Sequence, residues 1–358
     1  MSLSKKKLQF YLYIFFLILV VIFSKFSTNY AFSKNYIVSN IEIEEFYDLN
    51  FEKTKVIDKA FKKAFKNLVF KLVQKKDQKI FKNIDIYKIK TLVDNFSITN
   101  EKFINNKYQS EFEVQFNRKK IIEYIQSKNI IPSIPSQIEL LIIPILIDEN
   151  SSDLFYFNQN IFYERWKKNK LNNSLISYNL SSEDIEDYQE VKKYINHIVE
   201  YDFKEIINKY NFTKYIIFIA FKNNNELKIF SKINFDGQIF FINDKFENFN
   251  LKDEQNVDNL INKFQIIFED KWKLINKINT SIVLTIKLKV DSKNYSLAEK
   301  LEKTLKNFEL VSKFNIEKIN NNEILYKIIF NGMPNKFVDE MKLYNFKIDN
   351  SNEIWLLK

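Results

Sequence analysis

Between residues 54 and 73 the apolar side chains come in adjacent pairs every four positions: Val56-Ile57, Ala60-Phe61, Ala64-Phe65, Leu68-Val69 and Leu72-Val73. That spacing keeps them on one face of a 3.6-residue period and predicts a helix laid on a sheet. Lys55, Lys59, Lys62, Lys63, Lys66 and Lys71 take the opposite face, and the small Ala60 and Ala64 let the helix sit close. Residues 36–46 alternate and predict a strand ahead of it. A shorter helix is expected over 85–96, with Ile86, Ile89, Leu92 and Val93 on one side. Residues 96–104 and 107–117 read as a hairpin, since Phe112, Val114 and Phe116 alternate with Glu111, Glu113 and Gln115. A closing helix over 118–127 completes an N-terminal α/β domain at 36–127, its helices on one face of a small sheet.

Residues 127–137 hold Pro132 and Pro135, two of the four prolines, which force an extended path and mark a domain boundary. The run at 138–147 (IELLIIPILI) is continuously apolar, as in a strand covered on both faces. Pro144 within it argues for an edge, a strand end or a bulge. A helix around Trp166 is expected over 157–168, and one long helix over 182–210, begun by Ser181 or Ser182 with Glu183, Asp184, Glu186 and Asp187 in its first turn. Strands follow at 215–221, 227–235 and 238–246, the last two joined through Asp236-Gly237, a hairpin signal. A helix over 257–278 ends a middle α/β domain at 138–278 or leads into the next. The remainder, 281–358, has the order β-α-β-β-α-β of a ferredoxin-like sandwich, with Asn331-Gly332-Met333-Pro334 supplying a turn and a helix start. The predicted class is α/β (α+β), in three small modules.

The N-terminus has a different pattern. Lys5, Lys6 and Lys7 precede an unbroken apolar run over residues 10–23. That run suits the core of an export signal and is short for a spanning helix, which needs about 20 residues. Residues 1–31 are therefore expected to be a signal peptide, with Ala31 as the cleavage point, or an anchor to the inner membrane. Both place the rest of the chain in the periplasm.

Composition narrows the chemistry. The 358 residues include two glycines, four prolines, no cysteine and a single histidine, with a net charge of +10. Lys, Asn, Ile, Phe and Tyr are abundant in the manner of an AT-rich coding sequence, so a lysine here is weak evidence for a phosphate contact. Without cysteine there is no disulfide, thiolate metal site or cysteine nucleophile. Gly237 and Gly332 stand alone, which excludes a glycine-rich phosphate loop and with it a nucleotide fingerprint. His197 has no second histidine to share a metal. The acidic run Glu183, Asp184, Glu186, Asp187 and Glu190 lacks calcium-loop spacing and reads as a helix start. Glu42 with Glu44, and Glu111 with Glu113, share strand faces that are expected to be wet. Basic and aromatic residues interleave at 61–82 and at 162–170. The second stretch, with Arg165, Trp166, Lys167 and Lys168, is the better candidate for an anionic membrane surface. No residue is assigned a catalytic, cofactor-binding or metal-binding role. No cofactor, nucleotide or nucleic-acid partner is expected.

The layout from residue 36 to about 148 resembles the domain of unknown function 2066 family of exported bacterial proteins. An alternating strand (YIVSNIEI) leads to an Ala-containing helix (KAFKKAFKNLVFKLVQ), then to an aromatic strand, an FEVQFNRKKIIEYI strand-to-helix step, an IPSIP turn and an apolar strand (LLIIPILID). The family usually has Thr-Gly after the long helix, and arginines where this chain has lysines. Here Gln74-Lys75-Lys76 stands in that place. The resemblance implies export and an α/β envelope protein, and it carries no catalytic residues. The expected function is that of a non-enzymatic periplasmic scaffold that binds envelope proteins. The alternatives are a periplasmic hydrolase with carboxylates assembled in space and a basic membrane-surface binder.

Overall fold

The computed structural model of the chain describes residues 36–168, 173–278, 282–308 and 310–358. The export segment read at 1–31 lies outside them. The architecture is mixed α and β, built on three separate sheets.

The first sheet is antiparallel, with β1 (Ile37–Phe46) and β2 (Val93–Ile104) flanking β3 (Lys107–Phe116). The β2–β3 turn is made by Asn105 and Asn106, both at positive φ, the backbone a tight hairpin requires. Helix α1 (Lys53–Leu72) buries Val56, Ala60, Phe61, Ala64, Phe65, Leu68, Val69 and Leu72, the face its pairing pattern predicts. Ala60 and Ala64 have no exposed surface. A larger side chain at either would hold the helix off the sheet. Helix α2 (Ile86–Leu92) is capped by Asp85, and α3 (Arg118–Gln126) by Asn117. The helix predicted over 85–96 thus stops at Leu92. The chain becomes strand from Val93 because Val93 and Phe96 pair with β3.

The middle sheet is built around β4 (Ile138–Asp148). On one side β4 runs parallel to β7 (Tyr215–Asn223), which continues antiparallel through β8 (Glu226–Phe235) to β9 (Gln238–Phe246). Its other side is shared: β6 (Ile176–Leu180) pairs with Ile138 to Ile142, and β5 (Asp153–Phe155) pairs with Leu146 to Asp148. Pro144 falls in the gap between them, where no ladder partner needs its missing N–H. The Pro144 carbonyl accepts from Asn160 Nδ2 at 3.1 Å instead. A proline that argued for an edge is thereby accommodated in the central strand. Both faces are covered, which explains the unbroken apolar run. Leu140, Ile142, Ile216 and Phe218 meet α4 (Ile161–Lys168) and α7 (Glu254–Ile275). Leu141, Ile143, Ile217 and Ile219 meet α5 (Ile185–Lys193) and α6 (Lys204–Lys209).

The single long helix expected over 182–210 is a correction. It is broken into α5, a short 3-10 turn at Ile195–His197 and α6. A straight helix of that length would span about 40 Å, longer than the strands beneath it. The chain turns instead at Phe203, whose φ is 59°, and buries Ile198 and Phe203 against the same sheet. Strands β5 and β6 carried too few residues to show a period. The Asp236-Gly237 hairpin forms as expected, with both residues at positive φ.

The third sheet has the order β11-β12-β10-β14-β13. Its elements are β10 (Leu284–Asp291), α8 (Tyr295–Asn307), β11 (Val311–Ile319), β12 (Glu323–Phe330), α9 (Pro334–Leu343), β13 (Ile348–Asp349) and β14 (Ile354–Leu357). β10 runs parallel to β14 and antiparallel to β12. Both helices contribute to one core, with Leu301, Leu305, Phe337 and Met341 set against Ile286, Leu288, Tyr326 and Ile328. Pro334 occupies the first turn of α9, as its position predicts.

The proline-rich stretch after α3 is a junction between modules. Ser133 donates its N–H to the Leu72 carbonyl at the end of α1, while Ile134 N–H bonds Asn276 and Ile278 N–H bonds Pro132. Trp272 Nε1 donates to the Ser136 carbonyl at 2.7 Å. Asp270 on α7 accepts from the Lys75 N–H just past α1.

Candidate functional site

The side chains that carried chemical promise in the sequence are mostly committed to structure. His197 sits exposed in the 3-10 turn, and no group of three metal-capable side chains forms among the described residues. In the acidic run, Asp184 caps α5. Asp187 is buried and meets Lys209 at 3.2 Å and Tyr210 Oη at 3.1 Å, so it ties α5 to α6. Trp166 is turned into the middle core, 3% exposed, and Arg165 is paired with Asp258 and Glu254 of α7. Of the described residues of that stretch only Lys167 and Lys168 face outward, and residues 169–170 lie outside the described ones.

The paired glutamates do share the open face of the first sheet, and Glu42 stands directly opposite Glu111 across the β1–β3 ladder. With Glu44, Lys63, Asn100 and Lys102 they line a shallow groove of about 580 Å³. Three of the four carboxylates are engaged by neutral or basic neighbours. Glu111 accepts from Asn100, Glu113 from Ser39, and Glu44 from Lys107 and Gln109. Lys107 and Gln109 hold the Glu44 carboxyl below the usual range. That is the wrong direction for a general acid, which needs a raised pKa.

The surface that stands out is strand β9. Sheet edges are normally blunted by bulges, charge or brevity. The edges of the other sheets follow that rule. β1, β2 and β11 all contain register shifts, and β13 has two residues. β9 pairs with β8 over nine consecutive residues without irregularity, and no strand among the described residues pairs with its far side. Its even-numbered apolar residues, Phe240 and Ile242, pack toward α7. The odd-numbered Ile239 and Phe241 point to the other face and are 49% and 60% exposed. Phe241 lies 6.0 Å from the ring of Phe230, which itself packs at the margin of the core formed with α5 and α6. The result is an edge without a bulge and with an apolar flank at 239 and 241, which the pattern over 238–246 announced as a strand but not as an uncovered one.

A second feature is internal. Glu269 of α7 has no exposed surface, and its Oε1 accepts from the Leu175 N–H at 2.7 Å and the Ile176 N–H at 3.1 Å. Burial lowers the pKa values of Lys71 and Lys273, and the Glu269 charge opposes that shift at both. Lys273 Nζ sits 4.5 Å above the Phe70 ring and 3.7 Å from Asp270, whose carboxyl is itself raised by burial. This cluster stitches α7 to the entry of β6 and to the end of α1. Sequence periodicity could not mark it, because a helix-face glutamate reads as solvent-facing.

The chain matches no protein-family model, and no curated protein shows significant similarity to it. No helix among the described residues is long and apolar enough to cross a membrane.

Proposed function

We propose that the protein is an exported, non-enzymatic envelope scaffold that recruits partner proteins by adding a strand at β9. The observation that carries this reading is the β9 edge, unbroken by any bulge and flanked by exposed Ile239 and Phe241. An extended partner segment gains main-chain hydrogen bonds at such an edge and places alternate side chains on its apolar flank. Export is drawn from the lysines and apolar run of the first 31 residues, and the resemblance to the domain of unknown function 2066 family points to the same compartment. The β10-to-β14 order supports reading the last module as a ferredoxin-like sandwich.

The test places a photo-crosslinking amino acid at Ile239 or Phe241 in cells and, as a control, at Leu343, a more exposed apolar position on α9. A discrete adduct from β9 positions alone, in the periplasmic or inner-membrane fraction, supports the reading. The same adducts from Leu343 would overturn it. So would turnover of a glycan or ester by the purified chain that is lost in Glu42→Gln.

A further inference from the structure

An apolar cluster sits at one end of the first sheet. Two turns carry it, residues 47–51 after β1 and residues 105–106 between β2 and β3, beyond the last ladder pairs of Phe46 with Lys107 and Ile104 with Lys107. The Tyr47 N–H ties the turns together by donating to the Asn106 carbonyl at 2.8 Å, and the Tyr47 ring lies 4.9 Å from Phe103 and 5.0 Å from Phe51. Phe46, Tyr47, Phe103 and Ile104 are exposed, and Leu49 is fully so. One such residue on a surface is ordinary, but five gathered on one tip mark a contact site. Charge begins just behind them. Lys107 stands 5.9 Å from the Phe46 ring and pairs with Glu44, two residues back along β1. Lys53, at the start of α1, pairs with Glu101 at 2.6 Å. At the tip itself the Asp48 carboxylate accepts from the Asn50 N–H at 2.8 Å.

This order, with aliphatic and aromatic side chains foremost and matched lysines behind, follows the polarity gradient of a bilayer from acyl chain to headgroup. A protein partner fits less well. The five side chains expose less than the about 800 Å² that a stable protein interface buries on each side, and they sit on projecting turns rather than in a groove. A bilayer is also within reach. Strand β1 is about 33 Å long, and residues 24–35, which join it to the apolar run at 10–23, span at most about 40 Å. With that run held in a bilayer, the tip at the far end of β1 still reaches the same surface. We infer that the tip docks into the surface of a lipid bilayer, with Leu49, Phe46 and Phe103 entering the acyl boundary and Lys107 and Lys53 staying among the headgroups. Because both lysines are matched by carboxylates, apolar burial drives the docking and a zwitterionic lipid suffices. The tip and β9 lie on different modules, so either reading can fail while the other stands.

The chain has no cysteine, so Leu49→Cys can be tagged uniquely with a nitrobenzoxadiazole fluorophore, and Leu343→Cys on α9 serves as an exposed control. The full chain is reconstituted in phosphatidylcholine vesicles with or without lipid carrying a doxyl quencher high on its acyl chain. The fluorophore at position 49 is expected to emit to the blue of the one at position 343 and to be quenched by the doxyl lipid, while the control is not. Phe46→Ser combined with Ile104→Ser leaves the Tyr47–Phe103 contact that holds the turns together. It should lower the ratio of inserted to free tip at least about tenfold, read as lost quenching at position 49, with hydrogen exchange in β2 and β3 unchanged. Quenching at position 49 no stronger than at 343, or undiminished in the double variant, would overturn the inference. A blue shift at position 49 without lipid quenching would put a second copy of the chain on the tip and overturn it equally.

Discussion

Glu269 offers a direct check on how the middle module is held together. Replacing it with leucine removes the acceptor shared by the Leu175 and Ile176 amides and by the Ser174 hydroxyl. Ile176 N–H keeps a bond to Ser174 Oγ at 3.1 Å, so the Leu175 amide is the group left orphaned. One buried unmatched amide costs about 1–3 kcal/mol. Loss of the buried negative charge facing Lys273 and Lys71 brings the expected total to about 3–5 kcal/mol. Glu269→Gln keeps an acceptor oxygen but loses the same charge, so it should cost about 2 kcal/mol, less than the leucine variant. A chain of three modules need not unfold in one step, so a single melting temperature is a poor readout. Hydrogen exchange followed by mass spectrometry on peptides covering 173–180 and α7 reports the local opening. Glu269→Leu should accelerate exchange there by at least about a hundredfold, with the third module unaffected. Exchange within threefold of the parent, or a glutamine variant as damaging as the leucine one, would refute the assignment of Glu269 as the tie between α7 and β6.

Two further predictions test separate parts of the fold. Gly237 lies at φ +92° with open space around its Cβ direction, so Gly237→Val should cost about 1–2 kcal/mol from backbone strain alone, read as faster exchange in β8 and β9. The Ser351 hydroxyl and Lys358 ammonium hold Asp349 down to about 2. Its folded pKa is thus depressed below the unfolded value. The contribution is fully present above about pH 4 and is lost as pH falls toward 2. Exchange at β13 and β14 should rise across that window in the parent chain, and Asp349→Asn should abolish the difference.

Local pattern determined a good deal of this protein. The paired apolar positions of α1, the alternation of β3 and β12, the Asp236-Gly237 turn and Pro334 at the start of α9 are all recoverable from the sequence, because each rests on contacts or dihedrals within a few residues. The apolar run of β4 announced a strand buried on both faces for the same reason. What tertiary structure alone decided is where partners begin and end. Pro144 is tolerated in a central strand only because β6 stops and β5 has not started beside it. The segment from 182 to 210 bends because the sheet under it is shorter than a straight helix would be. Asp187 and Glu269 are buried because a distant lysine or pair of amides meets them. β9 is an edge because no strand among the described residues returns to cover it, and alternation describes a strand's two faces but not its two sides. The contact of Arg118 with Val311 depends on α3 and β11, nearly 200 residues apart, coming together. Periodicity in one stretch of chain holds no record of the other.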